Sequence, residues 1–81
     1  MNSITGAQVR AARALVRWTA NDLATAAKLG VMTIRRAEGT DDAVSITPAN
    51  ADAIRRALEC AGVEFIEENG GGPGVRLKGS A

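Results

Sequence analysis

The side chains in this sequence best equipped for chemistry sit together in Val31-Met32-Thr33-Ile34-Arg35-Arg36-Ala37-Glu38. Two guanidinium groups, a hydroxyl and two apolar side chains share this short run. A guanidinium is always charged and presents its N–H donors as a planar fork that matches phosphate or paired acceptors. The charge of the whole chain hides this feature, because the formal net charge is only +1. Residues 1–40 hold six basic side chains (Arg10, Arg13, Arg17, Lys28, Arg35, Arg36) against Asp22 and Glu38, a surplus of four. Residues 41–81 hold four basic side chains against seven carboxylates, a deficit of three. Such asymmetry points the first half toward an anionic partner. The alternative is four amphipathic helices with solvated arginines.

Other chemistries lack their residues. There is no histidine and only one cysteine, Cys60. Histidine-based triads and general bases are excluded, as are the usual zinc sites. No catalytic residue, metal or cofactor is expected. One cysteine makes no internal disulfide, which fits a cytoplasmic chain. Gly70-Gly71-Gly72-Pro73-Gly74 lacks the Lys-Ser/Thr of a phosphate-binding loop and precedes a strand pattern. Glu67 and Glu68 are adjacent at a strand end and point to different faces, a poor acid–base pair. No apolar run approaches the roughly 20 residues of a membrane span.

The elements that must position the basic segment can be read from caps and spacing. With 81 residues and 46% apolar content, the chain is expected to form one domain over residues 1–81. Thr5 is a plausible N-cap for a first helix with Val9, Ala12 and Val16 on one stripe and Arg10, Arg13 and Arg17 on another. Thr19-Ala20-Asn21-Asp22 has the form of a capping box, with Trp18 and Leu23 as a hydrophobic staple. Trp18 is therefore read as core. That second helix stops near Lys28, Gly30 caps a third over residues 31–38, and Gly39 ends it. Thr40 to Thr47 reads as a loop. Thr47-Pro48 opens a fourth helix with Ile54, Leu58 and Ala61 inward, and Gly62 ends it. Cys60, near that end, reads as a small buried residue. Arg55 and Arg56 read as a solvated helix face. Val63-Glu64-Phe65-Ile66 and Val75-Arg76-Leu77-Lys78 then read as two strands of a hairpin over 63–78.

Two helices of about two turns joined by about three residues have helix-turn-helix spacing. In that motif the first helix rests across the DNA backbone and the second enters the major groove. Ala24 and Ala27 supply small residues at the crossing, and Leu23, Leu29, Ile34 and Ala37 supply anchors. Val31, Met32, Thr33, Arg35 and Arg36 remain on the other face. Val31 and Met32 suit thymine methyl groups, or else a neighbouring helix or a protein partner. Thr33 could reach a base or a phosphate oxygen. Arg35 suits phosphate, which positions without specifying sequence.

Trp18-Thr19, Asp22-Leu23-Ala24, Ala27, Leu29, Thr33-Ile34-Arg35-Arg36 and Glu38 resemble the XRE family of helix-turn-helix proteins, the phage Cro and repressor type. The resemblance extends over about residues 5–78 and implies a mainly α, four-to-five-helix repressor-like domain with a C-terminal β-hairpin. Its helix-turn-helix would occupy residues 19–38. It implies a sequence-specific regulator of transcription, here expected to be a repressor acting on double-stranded DNA. By the same resemblance Arg36 faces the groove, where an arginine can donate two hydrogen bonds to guanine. It also implies an ion pair between Arg13 and Glu38 that sets the angle of the recognition helix and removes Arg13 from the DNA contacts. Arg10 and Arg17 remain as phosphate candidates, with Arg17 the better placed. The chain departs from the family pattern at Ala20, where Gln often touches phosphate, at Lys28, where glycine is usual, and at Gly30, where Ser or Thr is usual. Lys28 is a phosphate candidate in compensation. Thr40 is another, although Asp41 and Asp42 should turn that loop away from the duplex.

One helix reads only a few base pairs, so a homodimer on a palindromic operator is expected, with half-sites about 34–36 Å apart. The hairpin is the expected dimer device, with Val63, Phe65, Val75 and Leu77 as its apolar patch. The alternative is that these residues cover the protomer's own core. A second functional class is an antitoxin or anti-regulator that acts mainly on a protein partner. A structural adaptor that has kept only the fold is a third.

Overall fold

Threonine starts three of the four helices. In the computed structural model, which describes residues 4–79, the elements are α1 (Gly6–Val16), α2 (Ala20–Ala27), α3 (Val31–Glu38), α4 (Pro48–Cys60), β1 (Val63–Ile66) and β2 (Gly74–Leu77). Thr5, Thr19 and Thr47 each accept a hydrogen bond from the main chain three residues on, at Gln8, Asp22 and Asn50. These bonds satisfy N–H groups that the first helical turn leaves without partners. The first two caps are reciprocal boxes: the Gln8 side chain accepts from Thr5 N at 2.8 Å, and Asp22 accepts from Thr19 N at 2.9 Å. Pro48 opens α4 where no N–H is needed.

The helices stop for different reasons. At the end of α1, Trp18 N donates to Arg13 O and Arg17 N to Ala14 O, with Arg17 left-handed at φ 59°. At the end of α2, Leu29 N donates to Ala24 O and Lys28 N to Thr25 O, with Lys28 left-handed at φ 60°. Both are Schellman closures in which a basic residue occupies the position glycine usually fills. By contrast Gly39, expected as a stop on the same grounds, ends α3 in right-handed geometry. Gly62, at φ 108°, adopts a backbone conformation that a residue with a Cβ rarely takes, and it turns the chain from α4 into β1.

The inward faces converge on one core. Val9 and Ala12 come from α1, Leu23, Ala24 and Ala27 from α2, and Ile34 and Ala37 from α3. Ile54 and Leu58 come from α4, Val63 and Phe65 from β1, and Ile4 from the segment before α1. Burying an aliphatic side chain of this size contributes about 1.5–3 kcal/mol, which a domain this small needs from most of its apolar positions. Trp18 is half-buried against this core, together with Val16, Leu29 and Val31.

β1 and β2 pair antiparallel, with Val63 opposite Leu77 and Phe65 opposite Val75. The second strand runs one residue earlier than the expected Val75–Lys78. Alternation along the strands puts these four apolar residues on one face, and that face bears on the protein's own core. Val63 is fully buried and Phe65 nearly so, while Val75 is half-buried. Val63 and Phe65 are therefore corrected from dimer-patch residues to core residues. Leu77, 51% exposed, is the one member of the set that remains on the surface.

One polar side chain ties the two chain ends together. Buried Gln8 closes the α1 cap with its carbonyl oxygen and donates from Nε2 to Ile66 O (3.3 Å) and Gly74 O (3.0 Å) at the loop end of the hairpin. The segment after α3 is pinned beside α1 in the same region. Gly6 N donates to Asp42 O, Val44 N donates to Ile4 O, and Thr5 bridges Ala43.

Candidate nucleic-acid interface

Residues 28–30 join α2 and α3, and Gly30 at the N-cap of α3 offers no side-chain capping bond, so the turn is held through half-buried Leu29 alone among its side chains. The eight residues of α3 are too few to be stable alone in water. Its placement comes from Ile34 and Ala37, both fully buried, and from a junction with α1 at its C-terminal end. There Arg13 makes a two-pronged contact with Glu38, Nε to Oε2 at 2.6 Å and Nη2 to Oε1 at 2.9 Å, while Nη1 donates to Trp18 O at 2.9 Å. The pair is partly buried, with side-chain exposures of 24% and 11%. The hydrogen bond to Glu38 holds the Arg13 guanidinium above its ordinary pKa, with burial opposing the shift and attraction to the carboxylate reinforcing it. The expected Arg13–Glu38 pair is thus present.

Arg10 is not placed as expected. It donates from Nη1 to Glu38 O at 2.6 Å and to Thr40 O at 3.2 Å, and pairs through Nη2 with Asp41. Its fork is directed at the protein's own carbonyls, so it is corrected from a phosphate candidate to part of the α1–α3 junction. The backbones also come close there: a Cβ on Gly6 would lie 1.8 Å from Thr40 O and 2.7 Å from Ala37 O. Gly6, Arg10 and Arg13 follow one another by four and three residues, one stripe of α1.

On its outer side α3 carries Met32, Arg35 and Arg36, all exposed, with Val31 and Thr33 half-buried at its start. Met32 is 67% exposed. Val31 packs against the core, so its apolar surface is partly used. Arg36 borders a shallow groove with Ser45, Ile46, Thr47 and Asn50, between α3 and the start of α4. The hydroxyl oxygen of half-buried Thr40 accepts from Asp42 N at 3.1 Å.

The basic residues divide into two groups. Arg10, Arg13, Arg55, Arg56 and Arg76 form ion pairs with Asp41, Glu38, Glu59, Asp52 and Glu64. Among the described residues, Arg17, Lys28, Arg35, Arg36 and Lys78 form none. Four of these five stand in α3, in the turn before it, or in the turn before α2. The chain matches no family model, and no curated protein is significantly similar to it.

Away from this face, Arg55 and Arg56 form i,i+4 pairs on α4, and Arg55 also lies 5.3 Å above the Phe65 ring. That cation–π contact had no local signal, since it joins a helix to a strand ten residues on. Cys60 is exposed, correcting its reading as a buried residue. Among the described residues no three histidine, cysteine or acidic side chains are gathered to hold a metal ion. Among them too, no helix is long and apolar enough to cross a membrane.

Proposed function

We propose that this protein is a sequence-specific, double-stranded DNA-binding regulator of transcription that reads the major groove with α3 and acts as a dimeric repressor. The observation that carries the reading is the division of the cations. Five arginines pair with the protein's own carboxylates. Among the described residues Arg17, Lys28, Arg35 and Arg36, in α3 or in the turns before α2 and α3, form no ion pair and are left for an external anion, as is Lys78 just after β2. Duplex DNA supplies that anion, and its major groove admits a helix. The resemblance of residues 18–38 to the XRE family supports the same reading.

The roles follow from exposure. Arg36 and Met32 address base edges, by paired hydrogen bonds to guanine and by contact with a thymine methyl. Thr33 and the free part of Val31 border that contact. Arg17, Lys28, Arg35 and the Thr40 hydroxyl address phosphates, which fix register without reading sequence. Arg13 and Glu38 hold the helix behind the contact. A twofold dimer on a palindromic site doubles the sequence read. With Val63 and Phe65 in the core, Leu77, half-buried Val75 and the open edge of the two-stranded hairpin are what remains for self-pairing.

Footprinting on the DNA upstream of the protein's own gene tests the reading. A protected, symmetric site whose affinity falls steeply with salt supports it. Salt-insensitive or undetectable binding refutes it. The exposed apolar Met32 on α3 also suits a protein surface, and this keeps an antitoxin or anti-regulator as the second reading. A stable heterocomplex with a neighbouring gene product, formed without DNA binding, would favour it.

A further inference from the structure

We infer that Arg10 is the positioning residue of the recognition helix: its guanidinium clamps the point where α3 ends and screens the acidic loop that follows. The inference rests on the DNA-binding reading for its consequence, but the clamp itself is a property of the free protein.

α3 has no side-chain cap at its start, and at its end Gly39 N donates to Arg36 O at 3.3 Å. The carbonyls of a helix C-terminus carry partial negative charge and favour a cation beside them. Arg10 provides one. A single Nη1 contacts the carbonyls of Glu38 and Thr40, on either side of Gly39, so the exit direction of the chain is held from both sides. The other prong faces the Asp41 carboxylate, which is 82% exposed. Asp41 would otherwise place an unbalanced negative charge in the loop that carries Thr40. The division of labour with Arg13 is clear. Arg13 holds the side chain of Glu38, while Arg10 holds its main chain. Gly6 permits the close approach that brings this stripe of α1 within reach.

The fork is essential to this role. A lysine is a point charge that binds phosphate well, but it lacks the planar set of donors that spans two carbonyls and a carboxylate. Arg10→Lys therefore separates a clamp from a phosphate contact. The experiment compares wild type, Arg10→Lys, Arg10→Ala and Asp41→Asn in the full chain. It measures amide hydrogen exchange of the free protein, then binding to the footprinted site and to a site with mutated half-sites, across a salt series. Expected for the clamp is exchange about tenfold faster at residues 37–42 in both Arg10 variants, with a smaller increase in Asp41→Asn, which loses the carboxylate prong but keeps both carbonyl contacts. On DNA, both Arg10 variants should lose discrimination between the two sites while keeping the wild-type salt slope. If Arg10→Ala does not fold, the Arg10→Lys exchange and salt slope decide alone.

Wild-type exchange in Arg10→Lys overturns the clamp. So does a salt slope lowered by about 0.9 in Arg10→Ala with Lys at wild-type affinity, which is the signature of one lost phosphate contact. A wild-type protein that binds no DNA sinks the functional reading instead, and the exchange data still judge the clamp.

Discussion

Replacing Lys28 with glycine should make the protein more stable and worse at binding DNA, and the two effects can be separated. Lys28 follows α2 in left-handed geometry, φ 60° and ψ 43°. A residue with a Cβ is disfavoured there by about 1–2 kcal/mol. Glycine escapes that cost but has more freedom to lose on folding, which offsets about 0.5–1 kcal/mol. Lys28→Gly should therefore gain about 0.5–1 kcal/mol, the balance of those two effects. At about 4–8 °C per kcal/mol for a domain of this size, the melting temperature should rise by about 2–8 °C. Lys28→Ala keeps the Cβ and should stay within about 0.5 kcal/mol of wild type. Urea and thermal melts of the three proteins give the comparison. On DNA the order changes: both variants should lose similar affinity, each with a salt slope lower by about 0.9. A glycine variant no more stable than the alanine variant refutes the backbone argument. Undiminished binding by both refutes the phosphate role, whatever the melts show.

Arg36→Ala should lose about 1–3 kcal/mol of discrimination between the cognate half-site and one altered at its guanine, measured by competition binding; an equal loss on all DNA would make Arg36 a phosphate contact. Gly6→Ala drives a methyl into two main-chain carbonyls that cannot rotate away, so it should cost about 2–3 kcal/mol in a denaturant melt; a wild-type midpoint would contradict the close packing of α1 against the end of α3. In the hairpin, the hydrogen bond from Arg76 and then its charge hold the Glu64 carboxyl below the usual glutamate value. A folded pKa below the unfolded one contributes stability above the ordinary glutamate range and loses it as pH falls through the folded value. An NMR titration of Glu64 should therefore show a lowered midpoint that returns to normal in Arg76→Ala.

Much of the fold can be read locally, and the reasons differ by element. Helix starts are legible because Thr5, Thr19 and Thr47 each bond a main-chain group only three residues away. The inward stripe of α4 is legible because Ile54 and Leu58 recur at helical spacing. Strand pairing is less so: period-two alternation sorts Val63, Phe65, Val75 and Leu77 onto one face, but does not say whether that face meets the core or another protomer. Cys60 is exposed because it lies two residues after fully buried Leu58 and so on the opposite side of α4 from the Ile54 and Leu58 stripe, a matter of spacing that its being a cysteine obscured.

The candidate interface divides in the same way. The cluster of Met32, Arg35 and Arg36 is local and visible. What decides the fate of each arginine in α1 is the position of Glu38 and Asp41, some 25 to 31 residues on. Sequence spacing places Arg10, Arg13 and Arg17 on one stripe, yet two are spent inside the protein and one is not. Gln8 shows no local sign of its role in the hairpin, because the partners of its Nε2 lie 58 and 66 residues on.

That glutamine has a consequence for synthesis. Its carboxamide reaches across 58 and 66 residues to Ile66 and Gly74. Until the hairpin has been made and has left the ribosome, the first helix can start but two donors of a side chain meant for the interior have no acceptors. A nascent chain should therefore stay open to proteases until the hairpin emerges. Cutting away the hairpin would be felt at the opposite terminus, as fraying of the opening turn.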